Sequence, residues 1–301
     1  MNVAIHDGDC GATRFPNLAL MKISAYHKRN GDTVEWFNAL SKYDKVYSSK
    51  VFTFTPKDHY LPPDAVLGGT GYGMFGELSS DIEWSKPDYT LYPDFKPALG
   101  FITRGCIRQC PWCIVPKKEG VIRHDRHPVI ILGRRRSAIF MDNNVLASEW
   151  ALYYLQEIIS TGATVDFNQG LDARIVSSAY AELLAKIRWI RYVRFSCDTP
   201  DMRERVAEAV GRIRGHGCKA EMFCYVLVND VQDALETCEF LRGINVTPFA
   251  QAFRDYSGND NRTQEQINFC RWVNRRKLFY STRFEDYQTS RRSVKSETRF
   301  M

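Results

Sequence analysis

Three cysteines, Cys106, Cys110 and Cys113, stand at C-x3-C-x2-C spacing. Thiolates set that closely can hold three corners of an iron–sulfur cube. A fourth cysteine would close such a cluster and suit it to electron transfer, whereas three leave one iron open to bind and reduce a small molecule. Two plainer readings compete, a zinc site and three unrelated core cysteines. Zinc wants a fourth ligand at finger-like spacing, which neither His124 nor His127 provides.

A catalytic loop of this kind has to be carried by rigid elements. Residues 100–105 read as a strand entering it, and beyond it apolar runs alternate with helical patterns. Strands are expected at residues 137–141, 164–171, 192–198, 220–228 and 246–253, with a helix at 150–159 after the first of them. Most of these strands end in polar residues: Asp142-Asn143-Asn144, Asn168-Gln169, Ser196 and Asp198. A parallel α/β arrangement collects its ligand site at such ends. Asp or Asn there also serves as a plain helix cap.

Taken with its neighbours, the cysteine segment resembles the radical S-adenosylmethionine (SAM) superfamily, in which a C-x3-C-x2-C loop follows the first strand of a partial (β/α)6 barrel. Trp112, the aromatic residue before the third cysteine, fits the same pattern. The resemblance covers about residues 98–254 and is most specific at the cysteine loop. It implies a [4Fe–4S] cluster held by Cys106, Cys110 and Cys113, with SAM on the open iron through its amino and carboxylate groups. An electron from the cluster would then split the sulfonium and give a 5′-deoxyadenosyl radical that abstracts hydrogen from a substrate.

The later motifs carry further implications. Asp142 and Asn143 would receive the SAM amino group, Asn168 and Gln169 would point toward SAM or substrate, and Ser196 and Asp198 would contact the ribose or carboxylate. Val228 would pack near adenine. Ser196-Cys197-Asp198 replaces the Glu-Ser pair typical of the branch with a cobalamin-type domain. Cys197 is the one candidate hydrogen-atom donor, set against its plain reading as a small buried hydrophobe. A reducing partner of flavodoxin or ferredoxin type is implied as well.

Upstream, residues 1–97 read as a small Rossmann-like α/β domain. Apolar runs near residues 3–6, 33–37, 45–54 and 64–69 alternate with a helix over residues 18–30, and residues 68–71 (Gly-Gly-Thr-Gly) form a glycine turn at a strand end. This order resembles the cobalamin-binding-type domain that precedes the barrel in one superfamily branch. It is short, and no cobalamin is expected. Methylthiotransferases carry three further N-terminal cysteines for a second cluster, where this chain has only Cys10. The expected organisation is thus residues 1–97, the barrel at 98–254, and a helix with a basic tail at 255–301.

With 301 residues, 44% of them hydrophobic and 25% charged, the chain has the composition of a globular protein rather than a disordered or membrane one. No signal-peptide pattern opens it and no 18-residue apolar run occurs, so a cytoplasmic protein without membrane partners is expected. The net charge of +6 is uneven. Residues 117–136 hold seven Lys/Arg against two Asp/Glu, and residues 271–301 nine against three. Such cations suit an anionic small molecule, a nucleotide or a nucleic acid. A solvated surface is the plain alternative, and the tail aromatics Phe279, Tyr280, Phe284 and Tyr287 would either stack on bases or pack on the barrel. Two readings outside catalysis remain: a non-catalytic iron–sulfur electron carrier or sensor, and a nucleic-acid-binding module with a structural cluster.

Overall fold

The computed structural model describes residues 1–56, 58–255 and 260–287. It is a mixed α/β protein built on parallel sheets and divides into two compact units. Met1–Pro97 lie in one. Ala98–Arg254 lie in the other, with the described residues from Asn261 onward.

The first unit holds β1 (Asn2–Asp7), α1 (Leu18–Arg29), β2 (Thr33–Trp36), β3 (Lys45–Ser49), β4 (Val66–Gly68) and the short α2 (Ser80–Glu83). All four strands are parallel, in the order β2-β1-β3-β4. The chain therefore reverses its direction of travel between β1 and β3, the place where open α/β sheets ordinarily take ligands. Here the chain's own groups occupy it. The Asp9 carboxylate accepts hydrogen bonds from the Val51 and Phe52 amides and the Thr55 hydroxyl, and the buried Lys50 ammonium donates to the Thr55 carbonyl. The expected glycine turn sits on Lys50: a Cβ at Gly69 would lie 2.3 Å from the Lys50 carbonyl oxygen. Residues 51–54, read from the sequence as strand, are loop here, and the Asp9 carboxylate takes the Val51 and Phe52 amides that would have continued the ladder.

The second unit runs β5 (Ala98–Gly100), β6 (Thr103–Arg104), α3 (Val115–Lys118), β7 (Arg123–His124), α4 (Pro128–Leu132), β8 (Ser137–Phe140), α5 (Ala151–Thr161), β9 (Thr164–Phe167), α6 (Ser178–Lys186), β10 (Arg188–Trp189), β11 (Tyr192–Ser196), α7 (Met202–Gly215), β12 (Glu221–Val228), α8 (Val231–Gly243), β13 (Val246–Ala252), α9 (Gln264–Val273) and α10 (Arg276–Ser281). Parallel pairing gives β10-β9-β8-β5 and β11-β12-β13, and a Leu171–Phe195 bridge links the chain beyond β9 to β11. Successive long strands are thus neighbours, each followed by a helix.

Period-2 alternation divides the strand residues between two faces. Val165, Phe167, Val193, Phe195, Met222, Cys224, Val226, Val246 and Ala250 join the large apolar core together with helix residues such as Leu155, Leu184, Val206 and Leu241. The opposite face carries Asp166, Arg194, Tyr192, Phe223, Tyr225 and Phe249, whose rings contact one another. On it the Arg194 guanidinium meets Asp166 through two parallel hydrogen bonds of 2.7 and 2.9 Å. Three of the four tail aromatics pack rather than present a surface: Phe279, Phe284 and Tyr287 are buried, and Phe284 meets Phe269 edge-on, whereas Tyr280 is exposed. The remainder of the expected basic tail, residues 288–301, lies outside the described residues.

Candidate functional site

The strand expected at residues 100–105 is broken in two, and the break shapes the site. β5 pairs with β8 as far as Gly100–Phe140, after which the Asp142 carboxylate takes the amides that would have continued the ladder. It accepts from the Ile102 amide at 3.1 Å, the Thr103 amide at 2.5 Å and the Thr103 hydroxyl at 2.8 Å. Relieved of a parallel partner, Thr103–Arg104 turns into an antiparallel pair with Arg123–His124. The cysteine loop therefore hangs from a two-stranded hairpin at the carboxyl end of β5. Gly105 makes the last bend, with φ +78° and so close an approach that a Cβ would lie 2.2 Å from the Val121 carbonyl oxygen.

The loop is closed by its own amides and by four neighbouring side chains. The Cys106 amide donates to the Gly120 carbonyl at 3.2 Å, and the Cys113 amide to the Cys110 carbonyl at 3.0 Å. The Cys106 thiol accepts from the Arg108 amide at 3.3 Å and from the Asn144 side-chain amide at 3.5 Å. Glu119 accepts from the Gly105 amide and from Asn143 Nδ2, at 3.0 and 2.7 Å, and lies 3.5 Å from Arg104. Asp172, beyond β9, receives Arg108 from the loop and Arg174 from its own turn. The indole of Trp112 donates to Asp198.

The electrostatics follow from that enclosure. Burial pushes the Cys110 and Cys113 thiols up; Arg174 draws Cys110 back, and the neighbouring cysteines raise both further. Among the described residues no three His, Cys, Asp or Glu side chains converge closely enough to chelate a single metal ion. Asp198 is pushed up by burial and drawn back by Trp112, Arg174 and Ser196, while Asp172 is held below the usual carboxylate range by Arg174 and Arg108 despite its burial.

Asp142 is fully enclosed, 1% exposed, and burial lifts its carboxyl from 3.8 to about 7 against the hydrogen bonds it receives. A folded-state pKa above the unfolded one means that the native protein keeps a proton the unfolded chain has already lost. Stability supplied by this group is complete below about pH 4 and falls as pH rises toward 7. Chemical denaturation across that range should show a loss on the order of a few kcal/mol, and Asp142→Asn should flatten that part of the profile.

The residues expected at the site divide by face. Asn143, Asn144, Arg174 and Asp198 gather around the cysteine loop, joined there by Asp172, which was not among the expected residues. Asp142 lies beneath it, with its carboxylate engaged by the backbone. Asn168 sits at the end of β9, where its carbonyl accepts the Tyr225 hydroxyl at 2.7 Å and its side chain accepts from Gln169. Ser196 lies on the same side as Asp198 and hydrogen-bonds to it. Cys197 and Val228 fall on the helix-packed face. Cys197 is 1% exposed, its thiol aimed at the Thr199 carbonyl and raised by burial to about 12. Alternation puts it one residue out of phase with Ser196, so it is not brought to the loop as a hydrogen-atom donor would need to be. Val228 is likewise wholly buried, and its carbonyl is bonded by Phe253 and Gln266.

Several site residues escaped the sequence reading: Arg108, Glu119, Asn144 as a thiol partner, Asp172 and the Arg194–Asp166 pair. The pair did leave a signal, since Asp166 and Arg194 each interrupt an apolar strand at alternate positions. Asp172 left none, because it reads as the cap of a short turn and does cap one. The basic run also separates. Arg134–Arg136 precede β8, so parallel pairing places them at the strand edge opposite the cysteine loop, whereas Lys117 and Lys118 lie on α3 beside it. No helix of the described residues is long and apolar enough to cross a membrane.

Against known proteins, no family model matches the chain, and no curated protein does. Among solved structures it is similar to SuiB of Streptococcus suis bound to its precursor peptide SuiA, at 12% identity and a TM-score of 0.46, covering 61% of this chain and 46% of that one. SuiB bound to S-adenosylmethionine gives 12% identity and 0.45, over 61% and 47%. The chain thus spans about half the length of SuiB.

Proposed function

We propose that this protein is a radical SAM enzyme whose second unit is a partial (β/α)6 barrel formed by β5, β8, β9, β11, β12 and β13. The single observation that carries the reading is the cysteine loop itself, three half-buried thiols at C-x3-C-x2-C spacing on a hairpin at the carboxyl end of a parallel strand. The reading rests on this site, and the slight likeness to SuiB adds nothing to it. The donor set fits a [4Fe–4S] cluster: three soft sulfurs, one of them already receiving two N–H groups, as cluster sulfurs commonly do.

A second observation supports a ligand beside the cluster. Asn144 is 3% exposed, yet its Oδ1 has no hydrogen-bond partner. A buried acceptor left unmet costs about 1–3 kcal/mol, and the ammonium of an amino-acid co-substrate would meet it. Cys106, Cys110 and Cys113 would hold the cluster, and Asn143 and Asn144 would orient the amino group of SAM. Asp142 would act from below by fixing the hairpin. Asn168, Gln169, Ser196 and Asp198 would line the remainder of the mouth. When bound, the cluster supplies the electron that splits SAM to a 5′-deoxyadenosyl radical. Tyr225 and Phe249, half-buried on the face of Asp166 and Arg194, offer an aromatic wall, and Lys117 beside the loop favours an anionic substrate, a small molecule or a nucleotide. A flavodoxin- or ferredoxin-type donor would supply the electron.

Electron paramagnetic resonance of the anaerobically reconstituted, reduced protein tests this reading against that of an electron carrier or sensor. Adding SAM should change the cluster signal, because a ligand on the open iron alters its symmetry. A spectrum indifferent to millimolar SAM would favour the carrier.

A further inference from the structure

Five hydrogen bonds converge on the carboxylate of Asp172. Arg174 supplies three of them, through its amide at 3.2 Å and its guanidinium at 2.7 and 3.1 Å; Arg108 Nε supplies another at 3.1 Å and Asn144 Nδ2 the last at 3.2 Å. A carboxylate held below its usual range can only accept. It therefore fixes the orientation of the Asn144 amide, with the nitrogen toward Asp172 and the oxygen away. The same nitrogen reaches the Cys106 sulfur at 3.5 Å. Asp172 thus decides that Cys106 meets an N–H donor and not a carbonyl oxygen.

We infer that Asn144, oriented by Asp172, is a positioning residue that sets the reduction potential of the cluster through its hydrogen bond to the Cys106 sulfur; the inference rests on the cluster reading given above. Reduction adds negative charge to the cluster and its thiolates. A donor on a ligating sulfur stabilises that charge, so it raises the potential and makes the cluster easier to reduce. Arg108 and Arg174 work in the same direction, two cations around one carboxylate at the edge of the loop. Asn144 has a second end, its unpartnered Oδ1, which faces away from the sulfur. A ligand bound there would be coupled to the sulfur through a single planar amide.

The experiment is a redox titration of the reconstituted protein, followed by electron paramagnetic resonance, with iron and sulfide measured on each sample. At the potential where half of the wild-type cluster is reduced, Asn144→Ala should lower the ratio of reduced to oxidised cluster about tenfold, equivalent to about 59 mV for one electron. Asn144→Asp, of nearly equal size but anionic, should lower it at least as far, and Asn144→Ser, which keeps a short donor, should fall between Ala and wild type. Should the alanine variant fail to hold iron, the aspartate and serine variants carry the comparison. Full iron and sulfide with an unchanged or raised midpoint would overturn the inference while leaving the cluster reading intact. A wild-type protein that takes up no cluster would overturn both, and the iron measurement distinguishes the two failures.

Discussion

Alanine at Cys106, Cys110 or Cys113, one at a time, should yield a folded protein that retains no [4Fe–4S] cluster after anaerobic reconstitution. Only three thiolates are offered at the loop, so losing one leaves two corners of the cube and no further cysteine in the loop to replace it. His124, the nearest imidazole in the hairpin, is engaged with the Tyr154 hydroxyl at 2.7 Å. The remaining cysteines of the second unit lie elsewhere in the sequence, and Cys197, Cys224 and Cys238 are buried as core. Folding should be spared, because the loop is shaped by Gly105, Glu119 and Asp172 through groups that the substitution leaves in place. Iron and sulfide content with circular dichroism checks both halves. A single-cysteine variant carrying a full cluster would remove the basis of the functional reading.

A second large effect is expected at the Asp166–Arg194 pair. Asp166→Ala should destabilise the protein by about 3–5 kcal/mol, the cost of leaving the buried Arg194 guanidinium without its partner. The residues around the cation deepen this loss. Arg194 lies over the Tyr192 and Phe223 rings, 5.2 and 4.9 Å from their centroids, where water cannot readily replace a carboxylate. The double variant Asp166→Leu with Arg194→Met should recover most of the loss, since an apolar pair of similar volume carries no charge to desolvate. Urea denaturation midpoints of the two variants decide it. A single-variant loss below about 1 kcal/mol would mean that the pair is solvated.

How much of this was legible in the chain depends on the range of the interaction concerned. The long strands of the second unit were legible because each is an apolar run bounded by polar residues, and β8, β9, β11, β12 and β13 all begin within a residue or so of their expected starts. The entry strand was not, because its break at Phe101–Ile102 is imposed by Asp142, forty residues away. In sequence Asp142 looks like a ligand-facing residue at a strand end. In the fold its side chain turns into the chain beneath the cysteine loop.

Cys197 and Ser196 show the same limit at shorter range. Both stand at the end of one strand, and only the register of alternation decides which faces the site. The apolar positions Val193 and Phe195 fix that register, and they send Cys197 toward the helices. Asn144 was read only as a member of a polar strand end. Its importance comes from Asp172, supplied by a different strand-to-helix turn, and no spacing rule links the two. The basic run shows how topology reassigns charge. A loop that leaves one parallel strand at its carboxyl end must return to the amino end of the next, so Lys117 and Arg136 finish at opposite edges although they belong to one cationic segment.

The central claim is that this cysteine loop turns over SAM, and the most direct measurement is chromatographic quantification of 5′-deoxyadenosine from reduced, reconstituted protein incubated with SAM. The wild type should form it, slowly without the natural substrate yet above a protein-free control, and each of the three cysteine variants should form none. A wild-type protein with a full reduced cluster that forms none across a range of reductants, or cysteine variants that form as much as the wild type, would contradict that claim.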